Sequence, residues 1–253
     1  MYPDVVWDDE VDVVCTDVGP AGVLCAVAAS ARGGDVLMAA PRRHPRTWFE
    51  TLGGDSATSA YASALVDDID VKKLPEQSSA LPVRAVQPYE NLPSGRKKRT
   101  VPAFDGGRLR RWAGECIASP LGYLYTRVTG WPSSAMQSAD GDTIDIVDVC
   151  AFDAQASTEP GGMDAWLQAQ VRDQNLVAEP VDTIERLVFE DTTVSGVIFA
   201  TADGPLAVRA RHGVLLCGPP PASLQAERAT PGRLALVGRT ASRFGRVELL
   251  VDG

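Results

Sequence analysis

The chain has 253 residues, 45% hydrophobic and 23% charged, with a formal net charge of -9. That length buries a sizeable core as one large domain or a domain with an appended lobe, and the composition excludes disorder throughout. The acidic balance argues against nonspecific nucleic-acid binding, which needs basic surface to neutralise phosphates.

No segment approaches the ~18 apolar residues that span a bilayer. The N-terminal MYPDVVWDDEVD lacks a basic region ahead of an apolar stretch, so the expected location is cytoplasmic. Val11 to Pro41, VDVVCTDVGPAGVLCAVAASARGGDVLMAAP, reads as a strand, a glycine turn, a small-residue helix and a second strand. Asp17-Val18-Gly19-Pro20-Ala21-Gly22 fills the G-x-G-x-x-G frame of a dinucleotide-binding turn, with an aspartate at the first glycine. In such a turn the glycines let the backbone approach a pyrophosphate, which sits on the positive end of the following helix. A carboxylate there repels it. The ribose-binding acid due roughly 20 residues further on is absent as well, because the second strand ends Val36-Leu37-Met38-Ala39-Ala40-Pro41.

Residues 71 to 103 carry Pro75, Pro82, Pro88, Pro93 and Pro102, which predicts irregular backbone in a linker, arm or long surface loop. Within it, Gly95-Arg96-Lys97-Lys98-Arg99 is the basic run and reads as a solvated loop rather than as an anion or partner site. Leu109, Trp112, Ala113, Cys116 and Ile117 fall at helical spacing, ended by a turn at Pro120 to Tyr123. Residues 142 to 150, DTIDIVDVC, resemble a half-exposed strand whose alternation spreads Asp142, Asp145 and Asp148 over both faces, which disfavours a metal site.

After Pro160-Gly161-Gly162, the residues Met163, Trp166, Leu167 and Val171 mark one helix face ending near Asn175. Three strands follow, over 183–189, 194–200 and 206–210, as a meander joined by short turns. It leads to His212-Gly-Val-Leu-Leu-Cys-Gly218, a buried strand ending in glycine. Cys15, Cys25, Cys116, Cys150 and Cys217 form no C-x-x-C pair, and with only His44 and His212 beside them no metal site is expected. Cys15, Cys25 and Cys217 read as buried small thiols.

The ordered set of VDVVCTDVGPAGVLCAVAASARGGDVLMAA, a later helix, TIERLVFEDTTVSGVIFATADGPLAVRARHGVLLCG and a terminal PGRLALVGR resembles the FAD-binding domain of the fumarate reductase and 3-ketosteroid dehydrogenase flavoproteins, over roughly half the chain. The resemblance implies an α/β, Rossmann-like FAD/NAD(P)-binding domain with a three-stranded β-meander and an irregular Pro-rich insertion. Residues 1–70 and 151–253 would form its two parts and 71–150 the insertion or small lobe. Gly19 and Gly22 would approach the pyrophosphate, Gly218 would lie near the adenosine part, and Gly53 and Gly54 would form a glycine-rich loop against the flavin. Gly238, in the terminal run, would also face the cofactor.

Against that pattern, Asp17 replaces a glycine, Ala40 the ribose acid, Cys217 a threonine and Pro219 a glycine, while Arg239 stands where an acid would contact the ribityl chain. Only Pro219 to Pro231 separates the two pieces between which the family inserts its substrate-binding cap. No catalytic role therefore transfers to Tyr61, Tyr89, Tyr123 or Tyr125, which read as packing residues, and the catalytic residues stay unknown. Two functions are open. One is a degenerate FAD-binding-fold protein serving as an accessory or interaction subunit, as part of a flavin-dependent oxidoreductase complex. The other is a small FAD-dependent oxidoreductase for a steroid-like or acyl substrate, its pocket completed by a partner chain. Either implies a protein partner or homo-oligomer, with no nucleic acid and no membrane span. A third arrangement has Arg239 and the 96–99 cluster hold a different anion, such as a nucleotide or acyl-CoA.

Overall fold

Asp9–Cys15 (β1) buries Val11, Val13, Val14 and Cys15, an apolar run of the kind that lies inside a sheet covered on both faces. The computed structural model describes residues 5–43, 54–74, 80–88, 106–127, 133–139, 141–152, 162–218 and 231–253. The chain is mixed α/β, with twelve strands and four α-helices among those residues. Beyond β1 the helix Pro20–Ser30 (α1) crosses to Val36–Pro41 (β2), which runs parallel to β1.

Every residue of α1 from Pro20 to Ala29 is buried. The helix is walled in by sheet on more than one side, which explains alanines where an amphipathic helix would carry polar groups. The next helix, Ser56–Val66 (α2), starts at Asp55, whose Oδ1 accepts the N–H of Thr58 at 2.8 Å.

The described part of 71–103 is more regular than its prolines predict. Val71–Lys73 forms one 3-10 turn and Val83–Pro88 a strand (β3). Pro82 precedes β3 and Pro88 ends it, positions where a missing N–H costs the ladder little. The Pro82 carbonyl accepts the N–H of Leu249 at 2.8 Å. Pro75, Pro93, Pro102 and the 95–99 basic run lie outside the described residues.

The helix expected from the spacing of Leu109 to Ile117 is Gly106–Ile117 (α3), which buries Trp112, Ala113, Cys116 and Ile117. Gly122–Tyr125 (β4), Ser134–Ser138 (β5) and Thr143–Phe152 (β6) follow, the last with the mixed exposure expected of 142–150. Gly162–Asp173 (α4) buries Met163 and Leu167. Asn175 closes it at φ 52, with Leu176 N–H bonded to the Val171 carbonyl and Asn175 N–H to that of Arg172. This pair of hydrogen bonds is a Schellman cap with asparagine in the left-handed position.

Ala178–Val181 (β7) pairs parallel with β2. Thr183–Glu190 (β8), Thr193–Thr201 (β9) and Gly204–Cys217 (β10) form the expected antiparallel meander. The meander's last strand and the buried strand 212–217 are one element, since β10 continues from pairing with β9 to pairing parallel with β1. Four neighbouring strands, β7, β2, β1 and β10, are thus mutually parallel. The slot on the other side of β10's end is taken by antiparallel β4.

Gly232–Gly238 (β11) and Phe244–Asp252 (β12) form a hairpin rather than a strand joining the parallel set. Pairings β11–β6, β6–β5, β5–β3, β3–β12 and β12–β11 close a five-strand ring. Cross-strand partners point to one face, so Val86, Ser138, Ile146, Val237, Glu248 and Leu250 share the ring's inner face, and all are buried. Glu248 is fully buried there between two arginines: Arg84 holds it in a bidentate pair and the Arg246 Nε donates to Oε1 at 2.6 Å. Trp112 of α3 donates its indole N–H to the Phe244 carbonyl at 2.8 Å, with the Arg239 and Arg246 guanidinium groups 5.3 and 5.0 Å from its ring centre.

Candidate functional site

The carboxyl ends of β1 and β10 meet the first turn of α1, the crevice in which open α/β sheets bind ligands. Thr16 and Asp17 leave β1 fully inside the protein, exposed by only 3% and 4%. The Asp17 carboxylate turns back and accepts the N–H of Gly19, the residue that caps α1. Pro20, at the first helical position, has no N–H. The chain's own carboxylate thus takes one donor that a bound phosphate would use, and the proline removes the next.

Gly22 packs on the same turn. A Cβ there would stand 1.9 Å from the Asp17 carbonyl oxygen and 3.5 Å from the Cys217 Sγ, so its lack of a side chain is what lets α1 lie against the strand ends. The Thr16 hydroxyl accepts the Cys217 N–H at 3.3 Å, and the Gly218 N–H donates to the Gly122 carbonyl at 3.3 Å. Burial, with the Asp17 charge adding to it, pushes the Cys217 thiol well above its ordinary range.

Gly19 and Gly22 lie at this turn, and Gly218 follows Cys217, whose Sγ packs on Gly22. The remaining glycines do not join them at that turn. Gly54, at φ 87, packs on β8, where a Cβ would meet the Glu185 carbonyl at 2.5 Å. Gly238 ends β11 opposite Gly245 and Asp145, in the five-strand ring. Gly53 lies outside the described residues. Ala39, Ala40 and Pro41, at the end of β2, pair with β7 and bring no acceptor for a ribose. The residues present do not fit a pyrophosphate at this turn.

The aspartates of β6 and the turn before it serve ion pairs and hydrogen bonds. Asp142 binds Arg239, Asp145 accepts the Thr240 hydroxyl at 2.8 Å, and Asp148 binds Arg233 at 2.7 Å. The Arg239 hydrogen bond holds the Asp142 carboxyl below its usual value. Among the described residues, no three His, Cys, Asp or Glu side chains gather as a metal-holding group. No helix there is long and apolar enough to cross a membrane.

Tyr61, Tyr123 and Tyr125 do pack with bonded hydroxyls. Tyr123 donates to the Val237 carbonyl at 3.4 Å and Tyr125 to that of His212 at 2.8 Å. Tyr61 meets Phe189 edge-on and accepts from Arg243 at 3.2 Å. Tyr89 lies outside the described residues.

Sequence reasoning missed a cavity of about 360 Å³ bounded by α1, β4, β10 and the β11–β12 hairpin. Cys25, Leu215 and Leu236 line it with Tyr123 and Tyr125, and Arg127, Arg239 and Arg243 reach its wall. These arginines lie just past the end of β4 and in one hairpin turn, so no local pattern joins them. Arg239 alone stood out, as a departure from a family pattern.

No family model matches the chain, and no curated protein matches it. Similar solved structures include 3-ketosteroid-Δ4-(5α)-dehydrogenase from Rhodococcus jostii RHA1, at 17% identity and TM-score 0.34 over 84% of this chain and 46% of that one. A flavocytochrome c3 fumarate reductase in its open conformation gives 12% identity and TM-score 0.32, over 81% and 33%. A triple mutant of a flavin-dependent brominase gives 13% and 0.30, over 79% and 37%. The chain spans less than half the length of each of these three. Overlap of that extent does not define the fold.

Proposed function

We propose that this chain is a Rossmann-like FAD-binding-fold protein whose dinucleotide turn is closed by its own carboxylate. It acts as an accessory or interaction subunit, in keeping with a flavin-dependent oxidoreductase complex, and not as the flavin carrier. The parallel order β7-β2-β1-β10, the α1 crossover and the β8–β10 meander support the dinucleotide-type fold. In this reading residues 1–70 and 151–253 supply that fold, and 71–150 is the insertion whose strands join β11 and β12 in the ring.

The observation that carries the loss of cofactor is the buried Asp17 carboxylate on the Gly19 N–H. A pyrophosphate would have to displace a bond already made and would meet a negative charge with little water to screen it. Retained fold without retained ligand is common, because geometry at a turn also serves packing. Here Gly22 is required by the Asp17 carbonyl whether or not anything binds.

Equilibrium dialysis against FAD tests this reading, using wild type and Asp17→Gly side by side. Wild type is expected to retain no FAD, and the variant to bind it more tightly. Stoichiometric FAD on wild type would overturn the reading and favour the small oxidoreductase completed by a partner chain.

A further inference from the structure

The cavity beside α1 shares no lining residue with the turn at 17–22 or with Cys217 and Gly218, so its ligand is independent of the reading of that turn. We propose that it is a binding site for a small carboxylic acid with an apolar body, held as its monoanion by Arg127, Arg239 and Arg243.

Its volume of about 360 Å³ lies at the lower end of the range of small-molecule sites, which combine a mostly apolar lining with a few convergent polar groups. Leu215, Leu236 and the rings of Tyr123 and Tyr125 supply the apolar part, and the tyrosine hydroxyls are already committed to backbone carbonyls. The arginines supply the rest. The Nε atoms of Arg127 and Arg239 are buried and have no hydrogen-bond partner among the described residues. Native proteins leave few buried donors unmet, and both of these belong to arginines that line the same cavity.

The charge balance sets the ligand's charge. Asp145 is the one carboxylate in the lining among the described residues, and Asp142, outside it, binds Arg239. Asp142 is shared with Arg108 at 3.4 Å, so these two carboxylates leave the three lining guanidinium groups with a net positive charge. Arg243 also contacts Tyr61, through a 3.2 Å hydrogen bond and with its guanidinium 5.9 Å from the ring centre. That contact steadies it at the cavity edge. Planar guanidinium groups suit the two oxygens of a carboxylate.

Isothermal titration calorimetry of the full chain tests the site with three probes: 1-naphthylacetate, the neutral 1-naphthylacetamide, and inorganic phosphate. Saturable one-to-one binding of naphthylacetate is expected, with the amide and phosphate each at least roughly tenfold weaker. Arg127→Gln should weaken naphthylacetate by about tenfold or more with the unliganded melting temperature little changed, since among the described residues Arg127 otherwise gives one exposed bond, to the Arg211 carbonyl. If that variant does not fold, the acid-to-amide ratio on wild type decides alone. Absence of saturable naphthylacetate binding would overturn the proposal. So would an amide or a phosphate that binds equally well, or an Arg127→Gln protein that binds the acid as wild type does.

Discussion

The carboxylate of Asp17 accepts the backbone N–H of Gly19, two residues along and immediately ahead of α1. A helix start is a favourable place for a negative charge, and here the chain supplies that charge from within. Asp17→Gly should therefore do two things. It should cost about 1 kcal/mol of stability in urea unfolding, as loss of a cap-like bond does. It should also raise affinity for FAD, ADP or pyrophosphate by roughly 10- to 100-fold in a titration, by freeing the donor and removing the repulsion.

Gly22 should tolerate no side chain. With a Cβ 1.9 Å from the Asp17 carbonyl, Gly22→Ala must push α1 off the strand ends. Denaturant unfolding should show a loss of about 3 kcal/mol, the cost of overpacking a rigid backbone contact. That loss should be the same with and without FAD.

Glu248 should make the fold acid-sensitive. Burial alone would raise its carboxyl, but the Arg84 hydrogen bonds and the Arg246 and Arg84 charges together outweigh burial and hold it below its ordinary value of 4.5. A carboxyl depressed in the folded state stabilises above its unfolded value, and that stability is lost as pH falls through the folded value. Unfolding midpoints should hold steady above about pH 5 and drop from about pH 4.5 downward. Glu248→Ala, which strands two guanidinium groups inside the ring, should cost about 3–5 kcal/mol and flatten that acid limb.

The five cysteines offer a check on packing. Cys15, Cys25, Cys116 and Cys217 are buried, while Cys150 is half-buried, with burial raising its thiol to about 11. A disulfide reagent at about pH 8 should find no fast thiol in the native protein, since the thiolate is the reacting form. Unfolding should release all five.

Much of the parallel half was legible. Glycines, β-branched runs and turn residues between Val11 and Pro41 and between Thr183 and Gly218 mark local structure, and local structure is what periodicity reports. The five-strand ring was not legible, because its closure depends on β3, β5 and β6 meeting β11 and β12 from far along the chain. Prolines at 82 and 88 also disguised a strand by bracketing it. The departure at Asp17 was readable as a repulsive charge, but its use as an internal acceptor for Gly19 depends on the buried turn. The arginine-walled cavity had no local signal, since Arg127 reaches Arg239 and Arg243 only through the fold.

The visible absorption spectrum of the freshly purified protein, before and after incubation with FAD and desalting, tests closure of the turn most directly. With Asp17 on the Gly19 N–H, the protein should be colourless as isolated and should return from desalting without flavin. A flavin spectrum near one FAD per chain would contradict that closure and make the chain a cofactor-bearing subunit.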